Sequence, residues 1–251
     1  MNKLGEKTHS SEGEEEARKY MLEILKESPL PDDQILPNLG LFLNSKTLAR
    51  INFMQHIYQK IVDTQGVVMD FGTRWGQNMT IFSSCRGMYE PFNRHRKIIG
   101  FDTFSGFPSV TEKDGKSDLM VEGNATVTEG YEKYLEKLLC CHEDDNPLGH
   151  IKKFEVIKGD AIETLAEYLD KNPQTIISLA YFDFDIYSPT KKCLKMISPH
   201  LMKGSIIGFD ELNDEDSPGE TVAFREVFNT LAFKIEKLPY VSRCSYIEMG
   251  A

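Results

Sequence analysis

The sequence predicts a single doubly wound α/β domain, in which a mostly parallel sheet is covered by helices on both faces. Apolar runs typical of strands alternate with segments of helical spacing, and the runs lie at residues 66–71, 97–101, 154–158, 175–182 and 204–209. The run at 176–182 is almost continuously apolar, as expected for a strand buried on both sides. A length of 251 residues suits one such domain.

The connecting segments complete this prediction. Helices are expected at residues 76–89, 161–170, 188–201 and 219–231, each following a strand as parallel crossovers require. Two further strands are expected at 232–238 and 244–249, an antiparallel end to the sheet. The polar, glycine-containing stretch 109–126 is long for a simple connection, and together with a helical stripe that follows it makes 109–150 a candidate lid.

The N-terminal quarter of the chain is predicted to lie outside the α/β unit at residues 65–251. Residues 1–15 are charged and aperiodic, so they are expected to be disordered. Residues 16–64 contain two apolar stripes at helical spacing, the second over 46–63, and are expected to form a helical cap. The apolar face of this cap could cover the sheet or a second subunit.

Composition excludes several classes of partner. A net charge of −10 argues against a nucleic-acid surface, because phosphate binding depends on clustered Lys and Arg. No apolar run is long enough to span a bilayer, and the first residues do not form a secretory signal. Five cysteines without a Cys-x-x-Cys pair indicate free thiols in a reducing compartment. We therefore expect a cytoplasmic protein with a small-molecule partner.

The first strand ends in an acid followed by a glycine-containing turn, Asp70-Phe-Gly72-Thr-Arg-Trp-Gly76. Gly72 allows the backbone to turn sharply and approach a ligand, and Gly76 allows the next helix to pack closely on the strand. The spacing is not the Gly-x-Gly-x-x-Gly of dinucleotide-binding proteins. Taken alone, this turn is compatible with a packing role as well as a ligand site.

The next two strands also end in acids. Asp102 follows the second strand, where a carboxylate can accept hydrogen bonds from both hydroxyls of a ribose. Asp160 follows the third strand and precedes Ala161, so it can either cap the next helix or accept an adenine amino group. Three acids at successive strand ends favour an adenosine-type ligand.

The strongest motif is Asp183-Phe-Asp185-Ile-Tyr-Ser-Pro-Thr after the fourth strand. Side chains two residues apart in extended chain point to the same side, and two carboxylates held together are costly without a shared cation or proton. The fifth strand ends Asp210-Glu211, and neighbouring strands lie about 4.8 Å apart. Four acids at one sheet edge, without His or Cys, favour Mg²⁺ or a similar hard ion; the alternative is that they cap a helix and form a polar loop.

In this order, the motifs resemble those of the macrocin O-methyltransferase family. The resemblance covers about residues 46–250 and includes Phe-Asp-Thr-Phe-Ser-Gly-Phe-Pro at 101–108, Gly-Asp-Ala-x-Glu-Thr-Leu at 159–165 and the Asp-x-Asp motif. It implies a Rossmann-like class I methyltransferase sheet and an enzyme that uses S-adenosylmethionine and Mg²⁺ (or Mn²⁺) to methylate a sugar hydroxyl in antibiotic biosynthesis. It also implies a homodimer or higher homo-oligomer.

The resemblance assigns each motif residue a role. Asp70, Gly72 and Gly76 would contact the methionine part of the cofactor, Asp102 its ribose, and Asp160 and Ala161 its adenine. The metal ligands would be Asp183, Asp210 and Glu211, and Asp185 would be the general base. This chain departs from the family in having Asp70 for Glu, Phe184 for Gly and Glu211 for Asp.

Two other functions remain compatible with the residues. The same fold and cofactor could act on a catechol or another phenol, whose two oxygens a divalent ion can chelate. A non-catalytic α/β binding module would use its acids only as helix caps. An unactivated sugar hydroxyl, in contrast, needs an ion or a base to become nucleophilic, which gives four acids at one edge a use.

Overall fold

A computed structural model describes residues 10–250. Six strands form one sheet in the order β3-β2-β1-β4-β5-β6, parallel except for the last pair. The strands are β1 (Val67–Phe71), β2 (Ile98–Asp102), β3 (Phe154–Lys158), β4 (Ile177–Phe182), β5 (Leu201–Phe209) and β6 (Ser245–Glu248). The predicted doubly wound α/β class is confirmed.

Helices cover both faces of this sheet. The α-helices are α1 (Glu12–Lys26), α2 (Asp32–Ile35), α3 (Ser45–Gln59), α4 (Gln77–Tyr89), α5 (Tyr131–Asp145), α6 (Ala161–Lys171), α7 (Tyr187–Ile197) and α8 (Gly219–Val227). Buried side chains of α3, α4 and α5 form one apolar cluster with the sheet, and those of α6, α7 and α8 form the other. Alternate strand residues contribute to the two clusters, for example Val68 to the first and Met69 to the second.

The strand order positions the ligand site. Strand β1 lies between β2 and β4, so the chain reverses its winding direction at this point, where open α/β sheets bind ligands. Phe182 is in register with Phe71 on one side and with Phe209 on the other. The residues that follow these three strands therefore meet at one edge.

The two predicted N-terminal helices are present, and they differ in burial. Helix α1 begins at Glu12, because Ser11 and Glu14 form a capping box, so the end of the predicted disordered segment is helical; residues 1–9 lie outside the described range. No residue of α1 is buried. Helix α3, in contrast, buries Phe53 and Ile57 completely, so this helix of the predicted cap covers the chain's own sheet.

The antiparallel end of the sheet is confirmed, but its strands pair differently. Strand β6 pairs with β5, with Ser245 opposite Phe209. The prediction of a strand at 232–238 is wrong: a 3₁₀ turn, Thr230–Ala232, begins after Asn229, whose side chain accepts a hydrogen bond from the Leu231 N–H. Only Glu236 bridges to Tyr246.

Several apolar side chains of the N-terminal segment are exposed in the single chain, among them Tyr20, Leu36 and Leu41. The homo-oligomer stays a prediction. Within residues 10–250 no helix has the length and apolar character needed to cross a membrane.

Candidate active site

One cavity of about 390 Å³ opens at the carboxyl edge of the sheet, a volume in the range of small-molecule sites. Residues from all five parallel strand ends line it: Gly72, Thr73, Arg74, Trp75, Asp102, Thr103, Gly159, Asp160, Ala161, Asp183, Phe184, Asp185, Ile186, Asp210 and Glu211. The candidate lid supplies a further wall, which includes Leu119, Met120 and Asn124. Eight of the ten predicted site residues, the predicted base and metal ligands among them, share this one space with the lid; Asp70 and Gly76 do not line it.

The wall from the candidate lid is folded against itself and against the start of α7. Phe107 and Asn124 are joined by a backbone hydrogen bond of 2.9 Å, and Met120 is buried. Asp114 is fully buried and accepts a hydrogen bond from the Tyr187 N–H at the start of α7. The segment is therefore attached to the helix that follows the Asp-x-Asp motif.

The glycine turn after β1 has two separate functions. Gly72 adopts φ +82°, and a Cβ there would lie 2.0 Å from the carbonyl oxygen of Asp183. Gly76 adopts φ +77°, and its Cβ would meet the Leu135 side chain of α5. Gly72 therefore lets the β1 and β4 loops approach within the cavity wall, whereas Gly76 serves helix packing behind it.

Asp70 lies behind the cavity. It is fully buried, and its Oδ1 accepts a 3.0 Å hydrogen bond from Asn78, which lines the cavity in its place. Burial raises the pKa of Asp70 to about 6, although the bonds from Asn78 and Thr73 oppose this change. Its Oδ2 is buried without a hydrogen-bond partner within the described chain. An orphaned carboxylate oxygen here suits a cationic amino group, which is what the methionine end of the cofactor carries.

Asp102 lies at the cavity wall, as predicted for a ribose ligand. Its Oδ2 accepts from the Arg74 N–H at 2.7 Å and its Oδ1 from the Phe104 N–H at 2.5 Å. Burial raises the pKa of this carboxyl group, and the two backbone donors oppose the rise. Each oxygen retains a second lone pair that a hydroxyl could use.

Asp160 has the helix-capping role that its sequence position allowed, and adenine binding stays a prediction. It is the N-cap of α6, and its Oδ1 accepts a 2.8 Å hydrogen bond from the Ile162 N–H. Both Asp160 and Ala161 also line the cavity. The helix cap therefore presents the carboxylate to the place predicted for adenine.

Asp183 and Asp210, at the ends of β4 and β5, share one guanidinium. Arg50 of α3 donates from Nη2 to Asp183 Oδ2 at 2.7 Å and from Nη1 to Asp210 Oδ1. Tyr181 also donates to Asp210, at 2.7 Å. Burial and the Asp210 charge raise the pKa of Asp183 well above its usual range. Burial also disfavours the charge on Asp210, but Arg50 and Arg243 hold its pKa below the usual value.

The neighbouring acids are held differently. Glu211 accepts from the Ser217 hydroxyl and pairs with Arg243. Asp185 lines the cavity with φ +60°, a conformation that costs a residue with a side chain about 1 kcal/mol or more. Glu220, fully buried at the start of α8, accepts from the Phe184 N–H at 3.1 Å and the Glu211 N–H at 3.3 Å. One carboxylate thus ties together both acidic loops.

The donor set fits a hard divalent ion in kind, since Asp183, Asp210 and Glu211 offer only oxygen. Their arrangement does not leave these oxygens open to an ion, because Arg50 bridges the first two acids and Arg243 pairs with the third. No group of three or more His, Cys, Asp or Glu side chains within residues 10–250 is arranged to hold a metal ion. An ion at these acids would therefore have to replace guanidinium contacts.

Four residues of this edge were missed from the sequence: Arg50, Arg243, Asn78 and Glu220. Arg50 and Arg243 lie far along the chain from the acids they contact, and Asn78 and Glu220 lie in helices near the motifs but match no motif position, so the sequence pattern does not indicate them. Phe184, noted as a departure, packs 5.7 Å from the Phe71 ring and also lines the cavity.

Sheet order, glycine turn and cavity together define a class I methyltransferase fold. Among solved structures, the chain is similar to the calicheamicin methyltransferase CalS11, with 38% identity over 98% of each chain and a TM-score of 0.95. A second CalS11 structure, described as a TDP-rhamnose 3′-O-methyltransferase, gives 37% identity over 97% of each chain and a TM-score of 0.86.

The O-methyltransferase NovP shares the fold at 15% identity, with 80% of this chain and 79% of that one covered and a TM-score of 0.59. No family model and no curated protein matches the chain. The identity to CalS11 over nearly the whole length shows that the chain belongs to the macrocin O-methyltransferase family. It is an S-adenosylmethionine-dependent O-methyltransferase, and the binding-module alternative is overturned.

Proposed function

We propose that the protein methylates a hydroxyl group of a deoxysugar carried on a nucleoside diphosphate. The observation that carries this proposal is the layout of the cavity. Its β1–β3 side has the Gly72 turn, Asp102 and Asp160, and its β4–β5 side has Asp183, Asp185, Asp210 and Glu211. The description of CalS11 as acting on TDP-rhamnose supports the same acceptor class here.

The β1–β3 side would hold the cofactor. Asp102 would accept from the ribose, Asp160 and Ala161 would flank the adenine, and the methionine end would approach the Gly72 turn. Asp70 lies behind this turn: its Oδ1 accepts from Asn78 and its Oδ2 has no partner within the described chain, so the carboxylate would attract the cofactor's amino group. The sulfonium methyl group would then face the acidic side across the cavity.

The β4–β5 side would hold and activate the acceptor. Methyl transfer is an in-line displacement, so the hydroxyl must be aligned and must lose its proton as the new C–O bond forms, while the methyl–sulfur bond breaks and S-adenosylhomocysteine leaves. Asp185 would accept this proton, because it lines the cavity and the Glu220 bond to the Phe184 N–H fixes its loop. A divalent ion, when held by Asp183, Asp210 and Glu211, would lower the pKa of the acceptor hydroxyl.

The test is methyl transfer from labelled S-adenosylmethionine to TDP-rhamnose, with catechol as the competing acceptor class. We expect product with the nucleotide sugar and none with catechol. Activity on catechol alone would overturn the sugar proposal. A parallel assay with EDTA, followed by added Mg²⁺ or Mn²⁺, tests the ion: loss and recovery of turnover is expected, and full turnover in EDTA would remove the ion from the proposal.

A further inference from the structure

Arg50 is the least expected residue of the acidic side. It comes from α3, more than a hundred residues before the acids it contacts, and it lines the cavity. Its guanidinium donates hydrogen bonds to both Asp183 and Asp210 and a third, of 3.3 Å, to Asn78 Oδ1. Its Cζ also lies 5.9 Å from the centroid of the Tyr181 ring. Planar guanidinium groups suit this kind of paired recognition of carboxylates.

The charge balance of the site explains why a cation is there. Asp183 and Asp210 follow neighbouring strands, and their carboxylates are close enough to share one side chain. Two such groups cannot both be ionised in a partly buried site without a cation between them. Arg50 provides that cation from within the chain.

A divalent ion would need the same oxygens. Asp183 Oδ2 and Asp210 Oδ1 both face Arg50, and Asp210 Oδ1 also receives the Tyr181 hydroxyl. An ion bound to them would repel the guanidinium and take over its contacts. We propose that Arg50 is the resident counter-cation of this site and that a divalent ion binds Asp183 and Asp210 only by displacing it.

This inference rests on the acidic side described under the proposed function, but it makes a separate claim about affinity. Metal binding would be weakened by the energy of the two Arg50 ion pairs. Asn78, already in contact with Arg50, offers the displaced guanidinium a contact that does not involve the acids. The site would therefore exchange one cation for another instead of filling an open position.

The experiment measures Mn²⁺ binding by the loss of the free-ion electron paramagnetic resonance signal, with the full chain and without cofactor or acceptor. The variants are Arg50→Gln, Arg50→Lys and Arg225→Gln. Arg225 is exposed on α8, so its variant makes the same change in net charge away from the site. A double variant, Arg50→Gln with Asp183→Asn, tests whether the bound Mn²⁺ is held by Asp183.

We expect Arg50→Gln to tighten Mn²⁺ binding at least about tenfold, which corresponds to ~1.4 kcal/mol. Arg50→Lys should fall between it and the wild type, since an ammonium cannot span both carboxylates, and Arg225→Gln should match the wild type. The double variant should lose the gain. Equal or weaker binding by Arg50→Gln would overturn the inference, as would a gain that survives Asp183→Asn.

Unfolding is followed in parallel, and Arg50→Lys carries the test if Arg50→Gln does not fold. The outcome is independent of the acceptor. Altered Mn²⁺ affinity without methylation of TDP-rhamnose would contradict only the proposed function. Methylation without an affinity change would contradict only the role of Arg50.

Discussion

Glu220 provides the sharpest test of how the two acidic loops are held. Its carboxylate is fully buried and accepts from the N–H groups of Phe184 and Glu211, which follow different strands. Replacing it with alanine removes both acceptors and leaves a space beneath the loops. Replacing it with glutamine keeps the size and one acceptor oxygen.

The expected cost follows from these two bonds. A buried donor left without its partner costs about 1–3 kcal/mol, so Glu220→Ala should cost about 2–6 kcal/mol of unfolding free energy. Water entering the vacated space would satisfy part of this loss and favours the lower end of the range. Glu220→Gln loses one of the two bonds, so its cost should be about 1–3 kcal/mol at acidic pH.

The pH dependence has a definite sign. Burial, followed by the charges of Asp185 and Asp183, raises the pKa of Glu220 well above its usual value. An acid whose pKa is higher in the folded state contributes stability that is complete below the unfolded pKa, about 4.5, and is lost as the pH rises through the folded pKa. Glutamine does not titrate. The difference between wild type and Glu220→Gln should therefore shrink as the pH rises.

Urea unfolding of the wild type and both variants at a series of pH values from 5 upward would measure these differences. The reasoning fails if Glu220→Ala costs less than about 1 kcal/mol, or if the advantage of the wild type over Glu220→Gln grows with pH. Steady-state kinetics of the same variants provides a second measurement of how the loops are held. Displaced acidic loops should lower kcat in Glu220→Ala more than they raise KM for S-adenosylmethionine.

Three further outcomes are expected. Asp102→Ala should weaken S-adenosylmethionine binding by about 1.5–3 kcal/mol in a calorimetric titration, because the ribose loses an acceptor; unchanged affinity would remove Asp102 from the site. Asp185→Asn should cut turnover by about 10²–10⁴-fold with cofactor and Mn²⁺ affinity nearly intact, whereas loss of the ion would make it a ligand. Residues 109–126 should exchange amide hydrogens more slowly when cofactor and acceptor are both bound, with the β4 amides as the unchanged reference, and exchange that ligands do not alter would make the segment a fixed wall.

The sequence was sufficient for the parts of the fold that depend on local pattern. The sequence pattern identifies strand β4 because its residues are apolar on both faces, and the acids after β2 to β5 line one cavity because parallel strands end at one edge. The stretch 232–238 was misread because its apolar residues alternate like a strand, yet Asn229 starts a turn and β6 takes the place beside β5.

Long-range contacts account for what the sequence did not show. Asp70 and Gly76 belong to the right turn, but only the packing of Asn78 and Leu135 shows that they lie behind the cavity. Arg50 is one polar position on an otherwise ordinary helix. Its partners are determined by where α3 packs on the sheet, and the spacing of residues in the sequence does not predict that packing.

The contact between Gly72 and the Asp183 carbonyl oxygen limits how this enzyme can change. Where the turn proposed for the cofactor meets the turn proposed for the acceptor, only backbone atoms separate them, so no side chain is available there to alter the distance between the two ligands. Mutation would reshape the proposed acceptor pocket through side chains of the cavity wall, such as those of residues 103–126 and Phe184. Relatives with the same chemistry and different acceptors should therefore differ in that wall while keeping the glycine.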